Sequence, residues 1–265
     1  FELGEVLQAG AIGEVVASND PSLSVGDLVE GRLGWENYTV AKANEVGKVD
    51  GNVASLSHYL GVLGMPSMTA WVGLRNIGQP KAGEAVYVSA ASGAVGQIAG
   101  QIAKLQGCHV AGSAGSDDKV DFVLSLGYDA AFNYKTTPDG IQAALETHCP
   151  KGIDVYFDNV GGETLDAVFM VMNKGARLAL CGMISTYQSD DPYRLGNMFM
   201  AVRKTATMTG FVINGHFPNN FLTSRALMMD FTTGHMWAAP FAGGTDVIRM
   251  SMGTVSHTQT PHNLP

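Results

Sequence analysis

The pattern of apolar and polar positions divides the chain into two parts. Over the first sixty residues, short apolar runs separated by turns predict strands at residues 13–17, 27–31 and 35–41. From about Met65 onwards, buried-strand patterns alternate with amphipathic helices. Because parallel strands joined by helices form a sheet covered on both faces, this second part predicts a doubly wound (Rossmann) α/β sheet.

The alternation begins with a continuous apolar run at residues 86–88, typical of a buried strand. The next helix is indicated by apolar residues at positions i, i+3, i+4, i+7 and i+8. These residues are Val95, Ile98, Ala99, Ile102 and Ala103. Further strands are predicted at residues 108–113, 130–134, 153–157 and 177–181, and further helices at residues 117–126, 140–146, 165–172 (ending by Gly175) and 221–229.

Three domains follow from this pattern. We expect a β-rich domain at residues 1–64, a doubly wound α/β domain at residues 65–235 and a loop-rich tail at residues 236–265.

Composition and charge exclude several classes of function. The formal charge of −8 opposes binding to nucleic acid. The longest uncharged run, residues 85–103, contains Tyr, Ser, Gln and three Gly, so we expect no membrane span, and the first residues indicate no signal peptide. Three widely spaced cysteines and scattered histidines predict no metal site and are typical of a reducing cytoplasm. Motifs of serine hydrolases, P-loop proteins and zincins are absent from the sequence.

The strongest candidate site is residues 90–96, AASGAVG, where a strand ends and a helix begins. Small residues let the backbone approach a pyrophosphate, which the free N–H groups and the helix dipole stabilise. Ala91 stands where the first glycine of the dinucleotide fingerprint would fall, so a tight turn without a ligand is the alternative. The surrounding alternation of strands and helices favours the nucleotide interpretation.

The end of the second strand indicates which dinucleotide fits. NAD sites place an acidic residue there, whereas residues 110–116 are neutral and small. Lys119 follows on the next helix and could pair with a 2′-phosphate, so NADPH is favoured. Asp117 and Asp118 are interpreted as N-caps of that helix, and a merely solvated Lys119 is the alternative.

Five segments in a fixed order carry a family resemblance. They are residues 90–104 (AASGAVGQIAGQIAK), 112–116 (GSAGS) with Lys119, 132–135 (FNYK), 158–162 (DNVGG) and 181–187 (CGMISTY). Together they resemble the zinc-independent medium-chain dehydrogenase/reductases, in the group of prostaglandin reductase, leukotriene B4 dehydrogenase and bacterial curcumin reductase. The resemblance implies a Rossmann dinucleotide-binding domain at residues 65–235 beside a GroES-like β-rich domain at residues 1–64, which is incomplete here. It also implies that the tail at residues 236–265 diverges from the family, and it suggests a homodimer.

The resemblance also implies which residues line an NADPH cleft. The pyrophosphate would face Gly93, Ala94, Val95 and Gly96. The 2′-phosphate would face Ser116, Lys119 and Tyr134. The ribose and nicotinamide would face Asn159, Cys181, Ser185, Tyr187, Phe211 and Val212. The residues alone support part of this, because ligands of open α/β sheets bind beyond the carboxyl ends of the strands. Asn159 as a turn residue and either tyrosine as a packing residue are the alternatives.

The function implied is NADPH-dependent reduction of the carbon–carbon double bond of α,β-unsaturated ketones or aldehydes by hydride transfer. Tyr187 is the candidate catalytic residue, since a phenol could donate a hydrogen bond to the enolate or orient the ribose. One alternative is NADPH-dependent quinone reduction. Another is NADPH binding without turnover, because the substrate domain is expected to be incomplete.

Overall fold

The computed structural model describes residues 3–191 and 193–213, together with the backbone of two short paired strands, β10 (Met236–Trp237) and β11 (Val247–Ile248). The chain divides into two compact units, Phe1–Met65 with Asn219–Pro265 and Pro66–Pro218. The helix predicted at residues 221–229 and most of the tail predicted at residues 236–265 lie outside the described residues.

The first unit contains a three-stranded antiparallel sheet in the order β1-β2-β3. Its strands are β1 (Gln8–Glu14), β2 (Leu28–Gly34) and β3 (Val46–Lys48), with a 3-10 turn at Ala43–Glu45 and helix α1 (Leu56–Leu60). The strand predicted at residues 27–31 corresponds to the first part of β2. The strand predicted at residues 13–17 is displaced, because it overlaps β1 only at residues 13 and 14. The strand predicted at residues 35–41 is wrong, because Trp35, Tyr38 and Val40 are exposed and bury no face against a core.

The second unit is built on a six-stranded, all-parallel sheet in the order β6-β5-β4-β7-β8-β9, which confirms the predicted doubly wound fold. The strands are β4 (Ala85–Val88), β5 (His109–Ala114), β6 (Ala130–Asn133), β7 (Ile153–Asp158), β8 (Met172–Leu180) and β9 (Thr207–Gly210). The helices are α2 (Met65–Val72), which continues as a π-helical segment at Gly73–Gly78, α3 (Gly96–Leu105), α4 (Asp117–Ser125), α5 (Gly140–His148), α6 (Gly162–Val171) and α7 (Phe199–Arg203). The strand order reverses between β4 and β7, and ligands of such sheets bind at this point.

Helix α6 ends earlier than its apolar pattern predicts. The stripe continues to Met172, but the helix stops at Val171, and Met172 is the first residue of β8. Met172 is fully buried as the first residue of β8, and a buried apolar residue would suit the end of a helix equally well. Hydrophobicity alone therefore does not show where the helix ends and the strand begins. Gly175, predicted to end the helix, instead lies inside β8 with φ +78°.

A tyrosine inserted between α3 and β5 fixes how these elements pack. Tyr128 is buried, and its hydroxyl donates to the Gly96 carbonyl at 2.7 Å. The ring occupies space that side chains would otherwise fill, because a Cβ at Gly112 would lie 2.9 Å from Tyr128 Cε1 and a Cβ at Gly100 would overlap the phenol. Glycine at both positions is therefore needed for this contact.

A buried carboxylate joins the carboxyl ends of β4 and β7. Asp158, the last residue of β7, is fully buried, and its Oδ1 accepts from the Tyr156 hydroxyl (2.6 Å) and from the amides of Val160 (2.9 Å) and Gly161 (2.8 Å). A weaker contact, at 3.3 Å, comes from the hydroxyl of Ser89, the residue after β4. Among the described residues, its second oxygen, Oδ2, has no hydrogen-bond partner. Burial raises the pKa of Asp158 above its ordinary value, outweighing the hydrogen bonds that lower it.

Gly100→Ala should destabilise the second unit. Alanine favours a helix over glycine by up to about 1 kcal/mol, but overlap with Tyr128 costs about 1–3 kcal/mol, so we expect a net loss in the free energy of unfolding measured with urea. Gly210→Ala is the control, because a Cβ there meets nothing within 4 Å. Equal stability of the two variants would contradict this packing.

Asp158→Asn should flatten the pH dependence of stability. Since the pKa of Asp158 is raised above 3.8, the folded chain holds this proton to higher pH than the unfolded chain does. The wild-type free energy of unfolding should therefore carry a contribution that falls as pH rises through and above 3.8, towards the raised pKa. Asparagine keeps an oxygen acceptor but has no proton that titrates in this range. Urea titrations between about pH 4 and about pH 7 should therefore show a smaller decrease in the free energy of unfolding for Asp158→Asn than for the wild type. The exposed control, Asp121→Asn, should keep the wild-type slope; a wild-type slope in Asp158→Asn would refute the assignment.

Candidate functional site

The loops that follow β4, β7 and β8 meet at the carboxyl edge of the sheet. Asn159, directly after β7, donates its amide to Ser89 Oγ at 3.0 Å and its side-chain Nδ2 to the Ser89 carbonyl at 2.8 Å. The amides of Cys181 and Gly182, after β8, donate to the Asp158 carbonyl at 2.8 and 3.0 Å. Hydrogen bonds therefore hold the three loops together, and Asn159 is a link between strands as well as a turn residue.

The turn between β4 and α3 leaves backbone donors available. It contains Gly93, Ala94, Val95 and Gly96, and Ala90 adopts a left-handed φ of +48° where it begins. A Cβ at Gly96 would lie 2.5 Å from the Ala90 carbonyl oxygen, so a larger residue would displace the turn. Within residues 3–191 and 193–213, the amides of Ala94, Val95 and Gly96 donate to no acceptor, and no side chain caps α3. Three unsatisfied N–H groups at the positive end of a helix dipole suit an anionic phosphate group.

The ends of β5 and β6 bring Ser116, Lys119 and Tyr134 to one part of the edge. Ala114 in β5 pairs with Asn133 in β6, so the residues after each strand are neighbours. Lys119 is exposed in the first turn of α4, and Tyr134 is 42% exposed. Residues 112–116 contain no carboxylate, in keeping with the neutral strand end seen in the sequence.

The predicted capping of α4 by Asp117 and Asp118 is wrong. The N-cap is Ser116, whose side chain makes no capping hydrogen bond, and both aspartates lie in the first turn. Asp117 Oδ1 instead accepts from Asn133 Nδ2 at 2.7 Å. The two acids still interact favourably with the positive end of the helix dipole, which explains the composition that suggested capping.

The loop after β8 carries Cys181, Ser185 and Tyr187. Ser185 Oγ donates to the Val160 carbonyl at 2.6 Å, so this loop is fixed to the turn after β7. Tyr187 is 67% exposed, and its hydroxyl oxygen accepts from the Met183 amide at 3.1 Å. Its own O–H proton has no acceptor in the described part of the chain. The tyrosine is therefore not a packing residue, and its O–H is available as a donor.

Cys181 is half-buried beside Asp158. Burial, reinforced by the nearby carboxylate, raises the pKa of its thiol to about 11. The thiol is therefore protonated at neutral pH and is a poor nucleophile.

Phe211 and Val212 follow β9 and face different surroundings. Phe211 is buried, and its ring meets the edge of Phe157 at a centroid distance of 6.3 Å, so its side chain belongs to the core. The Phe211 amide donates to the Leu180 carbonyl at 3.2 Å. Val212 is 72% exposed. Only Val212 offers its side chain to solvent or a ligand.

Two residues at this edge, Ser89 and Asp158, were not among the predicted site residues, although Asp158 begins the DNVGG segment of the resemblance. Each is a polar residue that ends a buried apolar run, VYVS and VYFD, and that repeated pattern was the available signal. Across residues 3–191 and 193–213, no three His, Cys, Asp or Glu residues are grouped so that they could hold a metal ion. In the same part of the chain, no helix has the length and apolar character needed to span a bilayer.

Comparisons with known proteins identify relatives over most of the chain. Residues 94–229 match the family model described as zinc-binding dehydrogenase, and residues 1–49 match the N-terminal domain of oxidoreductase. The NADP(+)-dependent 2-alkenal reductase of Nicotiana tabacum is 45% identical over 219 residues, which cover 82% of this chain and 64% of the relative. The NADPH-dependent curcumin reductase of Escherichia coli is 40% identical over 218 residues, which cover 80% and 63% of the two chains.

A solved structure supports the same relationship. The structure of CurA from Vibrio vulnificus in complex with NADPH aligns with a TM-score of 0.77 and 36% identity, covering 88% of this chain and 70% of that one. The chain spans less than two thirds of the length of the curated relatives named above. The family matches, these identities and the shared fold show that the chain belongs to the zinc-independent group of the medium-chain dehydrogenase/reductase family.

Proposed function

We propose that the chain binds NADPH and reduces the carbon–carbon double bond of α,β-unsaturated ketones or aldehydes. The observation that carries the proposal is the set of three amides at the start of α3 that have no acceptor within residues 3–191 and 193–213, beside the point where the strand order reverses. The neutral end of β5 and the exposed Lys119 favour the phosphorylated dinucleotide. Relatives named as an NADP(+)-dependent 2-alkenal reductase and an NADPH-dependent curcumin reductase support the same chemistry.

The residues at the carboxyl edge fit the successive parts of NADPH. In this proposal, the pyrophosphate lies on the turn of Gly93, Ala94, Val95 and Gly96. The 2′-phosphate lies against Ser116, Lys119 and Tyr134. The ribose and nicotinamide lie beside Asn159, Cys181, Ser185, Tyr187, Phe211 and Val212. Because the Phe211 side chain is buried, only its backbone would take part. When bound, NADPH supplies a hydride.

Tyr187 is proposed as the catalytic residue. Addition of hydride to the β-carbon of the substrate places negative charge on its carbonyl oxygen, and a proton must then reach the α-carbon. The O–H of Tyr187, which has no acceptor among the described residues, is suited to donate a hydrogen bond to that oxygen. The Met183 amide accounts for one lone pair of the phenol oxygen and fixes its position.

The proposal extends to organisation and compartment. Residues 1–64 would form a partial GroES-like domain, residues 65–235 the cofactor domain and residues 236–265 a divergent tail. The division between Met65 and Pro66 supports the first boundary. A homodimer is proposed from the family resemblance, and a cytoplasmic location from the three free cysteines, which suit a reducing compartment.

The decisive assay follows NADPH consumption by the whole chain with an α,β-unsaturated ketone and, separately, with a quinone. We expect oxidation of NADPH with the ketone, and a saturated product whose carbonyl group is intact. Turnover of the quinone alone would identify a quinone reductase instead. Binding of NADPH with no turnover of either compound would identify a cofactor-binding protein.

Lys119→Ala should weaken the binding of NADPH by about tenfold or more and leave NADH binding nearly unchanged, since charge-assisted contacts contribute about 1.5–3 kcal/mol. Titration calorimetry with each cofactor measures this difference. Lys151→Ala is the control, because Lys151 is exposed before β7, at the amino edge of the sheet. Equal losses for NADPH and NADH would contradict the phosphate assignment.

Tyr187→Phe should lower kcat for the ketone by about 100-fold, the low end for loss of one hydrogen-bond donor to a developing oxyanion, while the Kd for NADPH changes by less than about threefold. Stopped-flow turnover and cofactor titration measure the two quantities. Tyr38→Phe, an exposed tyrosine of the other unit, should match the wild type. Unchanged kcat and unchanged NADPH affinity in Tyr187→Phe would remove this residue from the mechanism.

A further inference from the structure

A second lysine, Lys135, lies at the same end of the sheet as Lys119. It follows Tyr134 in the loop after β6, and its Nζ lies 5.9 Å from the centroid of the Tyr134 ring. The negative face of an aromatic ring attracts an ammonium group at this distance. Tyr134 therefore restrains the position of the Lys135 charge.

Both side chains border the turn that precedes α4. A Cβ placed on Gly115 would lie 3.3 Å from Tyr134 Cε1 and hydroxyl oxygen, and 3.4 Å from Lys135 Cε. Since Cε is bonded directly to Nζ, the charge of Lys135 lies next to the backbone of Gly115. Ser116 and the first turn of α4, which carries Lys119, follow immediately.

The side chain of Asn133 connects this loop to α4. Its Oδ1 accepts from the Lys135 amide at 3.1 Å, and its Nδ2 donates to Asp117 Oδ1 at 2.7 Å. One amide group thus fixes the backbone of Lys135 relative to the helix that carries Lys119. It also engages the carboxylate of Asp117.

Both lysines lack an ion-pair partner among the described residues, although Asp117 and Asp118 lie in the same first turn of α4 as Lys119. Over residues 3–191 and 193–213, Lys119 and Lys135 form no ion pair, whereas Lys48 and Lys104 pair with aspartates at 2.6 Å. Lys119 and Lys135 therefore place two cationic groups at the border of a small-residue turn, although the chain as a whole carries a formal charge of −8.

A phosphate monoester carries a charge of about −1.5 to −2 at neutral pH, and a single lysine balances only part of it. We propose that Lys135 is a second cation for the 2′-phosphate of NADPH and that Asn133 is a positioning residue that holds Lys135 beside the phosphate. This inference rests on the proposed function, because it assigns a further residue to the same cofactor.

The test measures the Kd of NADPH and of NADH for the full chain by titration calorimetry. Lys135→Ala should weaken NADPH binding by about 3- to 10-fold, as expected for a partly exposed charge, with less than a twofold change for NADH. Lys135→Arg should restore most of the affinity, and added salt should reduce the difference between wild type and Lys135→Ala. Lys174→Ala is the matched control, since it removes an exposed lysine near the amino end of β8.

A double-mutant cycle separates positioning from stability. Asn133→Ala should weaken NADPH binding in the wild-type background and have little further effect when Lys135 is already alanine. A purely structural Asn133 would instead give the same loss in both backgrounds and would also affect NADH.

The outcomes distinguish this inference from the function on which it rests. If Lys119→Ala weakens NADPH binding and Lys135→Ala does not, or if Lys135→Ala weakens NADH binding equally, the second-cation assignment is overturned while the proposed function stands. If the wild-type chain does not bind NADPH, or does not prefer it to NADH, the choice of cofactor fails and the inference fails with it.

Discussion

The carboxylate of Asp158 needs donors from more than one segment of the chain. Tyr156 lies on its own strand, Val160 and Gly161 on the turn that follows, and Ser89 beyond a different strand. A buried carboxylate short of these donors would be strongly destabilising, so β4, β7 and the turn into α6 have to be in place together. The Asp158 carbonyl extends the connection to the loop after β8. Hydrogen bonds therefore hold the loops after β4, β7 and β8 together, and a fixed arrangement of this kind suits a site for an extended ligand.

Attraction for an anionic ligand at this edge has a local origin. The net charge of the chain is negative, but among the described residues the amides at the start of α3 have no acceptor. Lys135 borders the turn before α4 and Lys119 follows it in the helix, and neither forms an ion pair in that part of the chain. These groups act over a few ångströms, within a Debye length of about 8 Å at physiological salt. Acidic side chains beyond that range are screened, whereas Asp117 and Asp118, in the first turn of α4, offset part of the local positive charge.

The central sheet follows from the sequence because each of its elements has its own signal. Residues 86–88, 108–113 and 153–157 fall within a residue of β4, β5 and β7, since continuous apolar runs are needed where both faces are buried. The strand predicted at residues 35–41 is wrong because its apolar side chains are exposed, and a pattern of apolar residues does not form a strand without a core to pack against. The end of α6 was misplaced because Met172 is a buried apolar residue that would suit a helix or a strand equally well. The links from Ser89 to Asp158 and Asn159 join residues about seventy positions apart, so only the folded chain brings them together. The neutral end of β5, by contrast, is a local property that the sequence shows directly.

Burial of the sulfur atoms has a chemical consequence for a protein proposed to handle electrophiles. Burial raises the pKa values of Cys108, Cys149 and Cys181 to about 11, about 12 and about 11, so each is almost entirely a thiol at neutral pH. Thiolates, rather than thiols, are the species that add to activated double bonds. The substrates proposed for this chain are Michael acceptors, and the fold gives them almost no sulfur nucleophile to alkylate. Packing around the cysteines would thus protect the chain from alkylation by the substrates proposed for it.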